Sequence, residues 1–190
     1  MRPLAGRVRI SPRCWSTSAA SRRAASASGS IGGAQTGPNP IDRGKRGSKY
    51  HLVVDRNGIP LAIRLSAANT HDSTELVPLV DAIPTIIGPR GKPGRPRKRP
   101  AKLHADKAYD AADLRRALRA RGITPRTARR GIDSSARLGR HRWVVERSLA
   151  WLLGCRRLGL RYERRADLLE GLLHLACALI CVRFLGLGGG

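Results

Sequence analysis

The apolar positions of this chain follow a period of two in some stretches and a helical period in others. From Tyr50, the stretch YHLVVDRNGIPLAIRLS has two strand-like runs on either side of Asn57-Gly58, a dipeptide typical of β-hairpin turns. A further short strand is predicted for KLHAD, which ends at Asp106, and another for ITPRTA, which begins at Ile123.

Helical periodicity dominates the rest of the ordered pattern. We predict a helix near Ser73–Ala82 with Asp72 as its N-cap, and a second over about Ala111–Arg121 that is closed by Gly122. Two more are predicted in RWVVERSLAWLLGCRRL, which begins at Arg142, and in ADLLEGLLHLACALICVRFL. The order of the predicted elements favours a mixed α/β layer fold, since strands come first, a strand-helix-strand unit follows and helices come last.

Residues 1–41 follow neither period. They are rich in Ser, Ala, Arg and Gly and contain no Asp or Glu. This composition predicts a disordered or non-native N-terminal segment. We therefore place a folded core at 42–185 and a flexible tail at 186–190.

The charge of the chain points to a polyanionic partner. Its 190 residues include 37 Lys and Arg against 13 Asp and Glu, a formal net charge of +24. A field of this size attracts nucleic acid, although ribosomal and histone-like proteins share the property. The charge alone therefore does not choose among these classes.

The four cysteines indicate neither a disulfide framework nor a zinc site. The chain has no paired CxxC motifs. Cys177 and Cys181 lie four residues apart in an apolar helix, which is typical of buried free thiols. We expect a reducing, cytoplasmic setting. The apolar stretch Leu168–Leu187 contains Glu170, His174 and Arg183, so it predicts a buried core helix and no membrane span.

Two basic stretches are candidate DNA-binding loops. The first, RGKPGRPRKRPAK, resembles a minor-groove hook at its Gly-Arg-Pro core, and the alternative is nonspecific contact with phosphates. The second, RTARRGIDSSARLGRHR, leads into the helix of Glu146, and the alternative is a mobile surface loop. The candidate DNA-binding residues in them are Arg95, Arg97, Lys98, Arg99, Arg129, Arg130, Arg140 and Arg142.

Asp106 and Glu146 are the candidate catalytic and metal-binding residues. Asp106 ends a predicted strand, where open α/β sheets place their chemistry. Glu146 borders a helical stripe of buried positions, near Arg142 one turn earlier. Carboxylates that bind Mg²⁺ can support phosphodiester cleavage through two ions. The alternative is structural: Asp106 caps the following helix, and Glu146 pairs with Arg142.

The same helix carries two tryptophans whose role is open. Trp143 and Trp151 are eight residues apart and lie on a similar face. Anchoring of the helix in the core is the interpretation we favour over the stacking of nucleic-acid bases.

The order of these segments resembles the C-terminal half of DDE transposases of the insertion-sequence-five group. The similarity runs from about Gly37 to Leu185 through GPNPIDRGKRGSKYHLVVD, LHADKAYD, LRARGITPRTARRG and RWVVERSLAWLLGCRRL. It implies a ribonuclease H-like mixed sheet flanked by helices, with three carboxylates that bind two Mg²⁺ ions. HADKAYD is similar to the second-aspartate motif and maps that acid onto Asp106. RWVVER is similar to the glutamate motif and maps the third acid onto Glu146.

The first aspartate of that family has no counterpart here. It belongs on the first strand, whereas CWSTSAASRRAASASGS in this place has no acid and no strand pattern. We expect a chain truncated or frameshifted at its N-terminus that lacks the first strand. Asp42 and Asp55 are the nearest acids, and neither matches the family position.

The resemblance implies a transposase fragment that acts on double-stranded DNA, at transposon ends and target sites. Cleavage is expected to be weak or lost, with a homodimer or an intact transposase as a possible protein partner and no membrane. The rival is a non-catalytic basic DNA-binding protein. A ribosome-associated protein would explain the charge but not Asp106 and Glu146.

Overall fold

The computed structural model describes residues 16–26, 33–40, 43–86, 96, 98–127 and 135–186, and for 16–26, 107 and 135–142 it describes the backbone only. The strands are β1 (Ser16–Ser26), β2 (Gly37–Pro38), β3 (Arg46–Asp55), β4 (Pro60–Ala67), β5 (Lys102–Ala105), β6 (Thr124–Thr127) and β7 (Leu160–Arg161). The helices are α1 (Asp72–Asp81), α2 (Ala112–Ala120), α3 (Ser135–Gly154), α4 (Arg156–Gly159) and α5 (Ala166–Phe184).

The described strands form one mixed sheet. Its main order is β4-β3-β1-β5-β6, in which β3 is antiparallel to both of its neighbours and β1, β5 and β6 are parallel. The short strands β2 and β7 pair with β3 and β1 respectively. The predicted mixed α/β layer fold is confirmed.

Two apolar layers enclose the sheet. Tyr50, Leu52 and Val54 of β3 belong to a cluster with α3, α4 and α5. Val53 of β3 belongs to a second cluster with α1, α2 and the end of β5. Successive strand residues point to opposite faces, so Tyr50, Leu52 and Val54 share one face, whereas Val53 shares the other with the buried polar residues Lys49, His51 and Asp55.

The predicted β3–β4 hairpin is confirmed around Asn57-Gly58. Gly58 has φ of 97°, a conformation that glycine adopts without the penalty of a side chain. The buried Asp55 carboxylate accepts hydrogen bonds from the backbone N–H groups of Asn57 at 2.9 Å and Ile59 at 2.8 Å. Asp55 is therefore engaged in the turn.

The expectation that the first strand is missing is wrong. Ser16–Ser26 forms β1 in the middle of the sheet, with Thr17–Ala25 paired to β3 and Ser16–Ala19 paired to β5. Its sequence, STSAASRRAAS, has a low strand propensity and no apolar alternation. β3 pairs with most of its length, and β5 and β7 pair with its two ends on the other side, so this tertiary pairing overrides the weak local preference.

Ala34 and Gln35, which precede β2, are held by a buried arginine. Arg161 of β7 is 0% exposed. Its guanidinium donates to the Glu163 carbonyl at 2.8 Å, to the Gln35 carbonyl at 3.1 Å, to the Ala34 carbonyl at 3.2 Å and to the Ser48 hydroxyl. Burial lowers the pKa of Arg161. These bonds tie Ala34 and Gln35 to β7 and tie β7 to Ser48 of β3.

The helices agree with the sequence in type and differ at their ends. α1 is capped by His71, whose ring accepts from the backbone N–H of Ser73 at 3.3 Å, so the assignment of Asp72 as the cap is wrong. α3 begins at Ser135, so 135–140 are helical and the predicted second basic loop is shorter. The predicted single helix breaks at Cys155, before α4.

Among the helices of the described residues, none combines the length and the apolar character that crossing a bilayer requires.

Candidate functional site

Asp106 lies where the parallel strands end. It follows β5 directly and precedes a short 3₁₀ turn over Lys107–Tyr109. The Asp106 carbonyl accepts the Tyr109 backbone N–H at 2.9 Å, and the residue is half-buried. Buried Leu103 and Ala105 hold the strand in the core, so the first polar position after them emerges at the carboxyl edge of the sheet.

Glu146 lies on α3, which packs against β1, β3 and β5. Val145, Leu149 and Leu152 of this helix are buried, as their spacing predicted, and Glu146 beside them is half-buried. The helix that carries Glu146 and the strand that ends at Asp106 therefore contact each other. Their assignment as catalytic and metal-binding residues stays a prediction.

Strand β1 brings no carboxylate to this edge. Ala19 pairs with Ala105, so Ala20 is the next position beside Asp106, and β1 contains no Asp or Glu along its length. Within the described ranges, no group of three or more His, Cys, Asp or Glu side chains could hold a metal ion. Of the two other acids that the sequence offered, Asp55 is bonded in the hairpin turn and Asp42 lies outside the described residues.

The predicted DNA-binding residues are placed only in part. Lys98 and Arg99 are exposed, and Arg99 donates to the Arg121 carbonyl at 3.4 Å, near the end of α2. Arg140 and Arg142 lie on α3 instead of in a loop, and their side chains are outside the described part. Outside the described residues altogether are Arg95, Arg97, Arg129 and Arg130.

The two tryptophans of α3 do not anchor the core. Trp143 is 52% and Trp151 36% exposed. The Arg147 guanidinium carbon lies between them, 4.7 Å from the Trp143 ring centroid and 4.9 Å from that of Trp151. This is a cation–π stack along one helix face. The sequence pattern Trp-x₃-Arg-x₃-Trp, with residues four apart on one helix face, could have predicted this stack.

Arg147 and its neighbour also fix the hairpin on α3, a contact that the sequence did not predict. Arg147 donates to the Asn57 carbonyl at 2.6 Å, and Ser148 donates to the Gly58 carbonyl at 2.7 Å. Between the hairpin and the helix lies an open cavity of about 460 Å³. Its lining comprises Arg56, Asn57, Ile59, Trp143, Val144, Arg147 and Phe184. The two residues that bond the hairpin, Arg147 and Ser148, directly follow Glu146 on α3.

This architecture has known structural counterparts. A chain of the cryo-EM structure of the simian T-cell lymphotropic virus intasome in complex with PP2A regulatory subunit B56 gamma is similar over 87% of this chain, with TM-score 0.51 and 12% identity. The match spans 47% of that chain, which is about half of its length. The catalytic core domain of BIV integrase covers 86% of this chain with TM-score 0.47 and 12% identity. The fold is the predicted ribonuclease H-like mixed sheet flanked by helices.

Sequence comparison gives the family. The family model described as "Transposase DDE domain" matches residues 22–181. A Burkholderia cepacia protein that carries the name of a transposase for insertion sequence element IS402 is 53% identical over 147 residues, 77% of this chain and 68% of that protein. The chain belongs to the DDE transposases of insertion sequences, as the sequence motifs predicted.

Proposed function

We propose that this chain binds double-stranded DNA through its basic surface and that Asp106 and Glu146 belong to a cleavage site whose activity is weak or lost. The observation that carries the proposal is the central strand. β1 takes its place between β3 and β5, yet it has no acid beside Asp106. β1 therefore lacks the carboxylate that the family resemblance implies for this strand.

The remaining residues do not fit a two-ion site. Stabilising both the attacking and the leaving oxygen of a phosphodiester requires two divalent ions held about 4 Å apart, and several carboxylates hold them. Mg²⁺ is the ion that carboxylate oxygens favour. The described residues offer Asp106 and Glu146 without a third clustered ligand. No cleavage step through Mg²⁺ follows from these two acids alone.

DNA binding rests on the charge and not on the acids. The formal net charge is +24. Lys98 and Arg99 are exposed beside α2, where Arg116 and Arg119 are exposed as well. Each phosphate that a Lys or Arg neutralises releases counterions, so affinity must fall with salt. We expect Lys98→Ala with Arg99→Ala to reduce the slope of log affinity against log salt by about 2.

The test combines cleavage and binding on the same duplexes. One labelled duplex carries the ends of the insertion sequence and the other has a random sequence, and each is incubated with Mg²⁺ or Mn²⁺. Asp106→Asn is compared with Asp113→Asn, an exposed acid of α2 whose loss changes the net charge equally. We expect salt-sensitive binding by all three proteins and little or no nicking.

Three results would change the proposal. Nicking by the wild type and the Asp113 variant that disappears in Asp106→Asn would show an active enzyme with a third ligand supplied elsewhere. Absence of salt-sensitive duplex binding would refute the DNA-binding function. Preference for ribosomal RNA over duplex DNA in competition would favour the ribosome-associated alternative.

A further inference from the structure

The outer side of α5 carries an apolar row that the rest of the described chain leaves uncovered. Leu168, Leu175 and Leu179 are 53%, 58% and 56% exposed. Leu172 and Val182 are half-buried and continue the row along the helix, and Leu172 also packs against the edge of the core. We call these five residues the leucine stripe. Half-exposed leucines in a continuous row are unusual on a monomer and indicate an interface.

The stripe is distinct from the face that α5 buries. Leu169, Leu173, Ala176, Cys177 and Ile180 face the core and are buried. At about 100° per residue, the centre of the stripe lies roughly 120° around the helix from that face. The third side is more polar and includes Glu170 and His174. α5 therefore has two apolar faces, and folding of the described chain uses one.

The spacing of the stripe is that of helices that pair with their own kind. Its members follow one another at intervals of four, three, four and three residues, which is the heptad spacing of a coiled-coil seam. Beside the stripe lie two small exposed residues, Gly171 and Ala178, one heptad apart. A Cβ added to Gly171 would meet nothing within 4 Å. Small flanking residues let a second helix approach closely.

The distribution of charge favours a second copy over DNA at this surface. The chain has 37 Lys and Arg in 190 residues, yet none lies between Arg165 and Arg183. A DNA-binding helix would place cations here. Two copies of a strongly basic chain repel each other least where no Lys or Arg intervenes. A twofold axis would bring each stripe against its own counterpart.

We propose that the leucine stripe of α5 is the surface through which two copies of this chain associate. Because the interface would comprise one helix from each copy, we expect it to bury less than the roughly 1,000 Å² of a stable complex. Association is therefore expected in the micromolar range. This surface is independent of the proposed DNA binding and of Asp106 and Glu146.

The test is sedimentation of the nuclease-treated full chain over about 1–200 µM. Salt of about 0.5 M shortens electrostatic screening to a few ångströms and removes association bridged by nucleic acid. Leu175→Lys is compared with His174→Lys, which adds the same residue on the polar side of the same helix. We expect wild type and His174→Lys to reach twice the monomer mass and Leu175→Lys to raise the dissociation constant at least about tenfold.

Three results would overturn the proposal. One is a wild type that stays monomeric at every concentration. Another is a wild-type dimer whose dissociation constant rises equally in both lysine variants, or rises in neither. The third is a monomer that co-sediments with phosphatidylcholine vesicles through Leu175, because the stripe would then be a lipid-binding surface. Should Leu175→Lys fail to fold by circular dichroism, Leu179→Lys replaces it, and the concentration dependence of the wild type still decides.

Discussion

Replacing Arg161 by Met removes the buried guanidinium that holds Ala34 and Gln35, which lie between β1 and β2. Met retains much of the apolar length of the side chain but has no donors. Five acceptors then lose a partner: the carbonyls of Ala34, Gln35, Glu163 and Arg164 and the Ser48 hydroxyl. The change therefore isolates the hydrogen bonds more than the packing volume.

The magnitude follows from which acceptors water can reach. The bonds to the Ala34, Gln35 and Arg164 carbonyls are partly buried, so these groups can turn to solvent. The Glu163 carbonyl and the Ser48 hydroxyl accept in fully buried bonds. Each buried acceptor left without a donor costs about 1–3 kcal/mol. We expect a loss of about 2–6 kcal/mol, out of a total stability of about 5–15 kcal/mol for a domain.

The assay is urea unfolding followed by tryptophan fluorescence, with amide hydrogen exchange as a local readout. Exchange should accelerate first in β1 and in residues 33–38, which the guanidinium ties to β7. Arg165→Met is the matched control, since Arg165 is exposed and bonds Asp167 at 2.5 Å on the surface. Its unfolding midpoint should stay close to that of the wild type.

If Arg161→Met lowers the free energy of unfolding by less than about 1 kcal/mol, the reasoning is refuted, because exposed surface substitutions cause changes of that size. Equal loss in both variants would also refute it, since burial would then not be the cause. Retained exchange protection in β1 would show that strand pairing alone holds the N-terminal part of the sheet.

Three further predictions concern other parts of the chain. Gly58→Ala should lower the free energy of unfolding by about 2–5 kcal/mol, since its φ is 97° and its Cβ would lie 2.9 Å from a guanidinium nitrogen of Arg147. Gly122→Ala is the control in the same unfolding assay. Its φ is 73° and the space around it is open, so we expect a loss of about 1–2 kcal/mol. Burial lowers the pKa of His51 from 6.5 to about 4, so the unfolded state takes up the proton first and stability falls as pH drops through this window. The wild type should lose about 3 kcal/mol more than His51→Gln between these pH values, and parallel pH curves would contradict the assignment. Exposed Cys155 should react with a thiol reagent well before Cys177, whose pKa burial raises to about 12; equal rates under native conditions would contradict this order.

Local signals in the sequence were sufficient for much of the fold. Asn57-Gly58 between strand-like runs predicted the hairpin because that turn needs a residue that tolerates positive φ. The inner face of α3 was readable because Val145, Leu149 and Leu152 repeat at helical spacing. KLHAD was readable as a strand that ends in Asp106 because its apolar residues stop at the acid. The motifs around these positions also gave the family.

The misses share one physical cause. β1 was not predicted, because its Ala, Ser and Arg residues have no strand preference and only pairing with β3 and β5 makes them a strand. Trp143 and Trp151 were expected in the core, but Arg147 is stacked between them on the surface. β1 depends on pairing between residues that are distant in sequence, and the exposure of the two tryptophans depends on which face of α3 meets the rest of the chain.

By itself, the sequence determined the chemistry available to this protein: its positive charge, Asp106 after a strand, Glu146 on a helix and the absence of any acid in residues 1–41. These are properties of composition and local periodicity, which need no partner to be read. The tertiary structure decided what stands beside Asp106, since it inserted an acid-free strand at the centre of the sheet. It also left the leucine stripe of α5 outside the core, because burial depends on which face meets the rest of the chain and not on hydrophobicity alone.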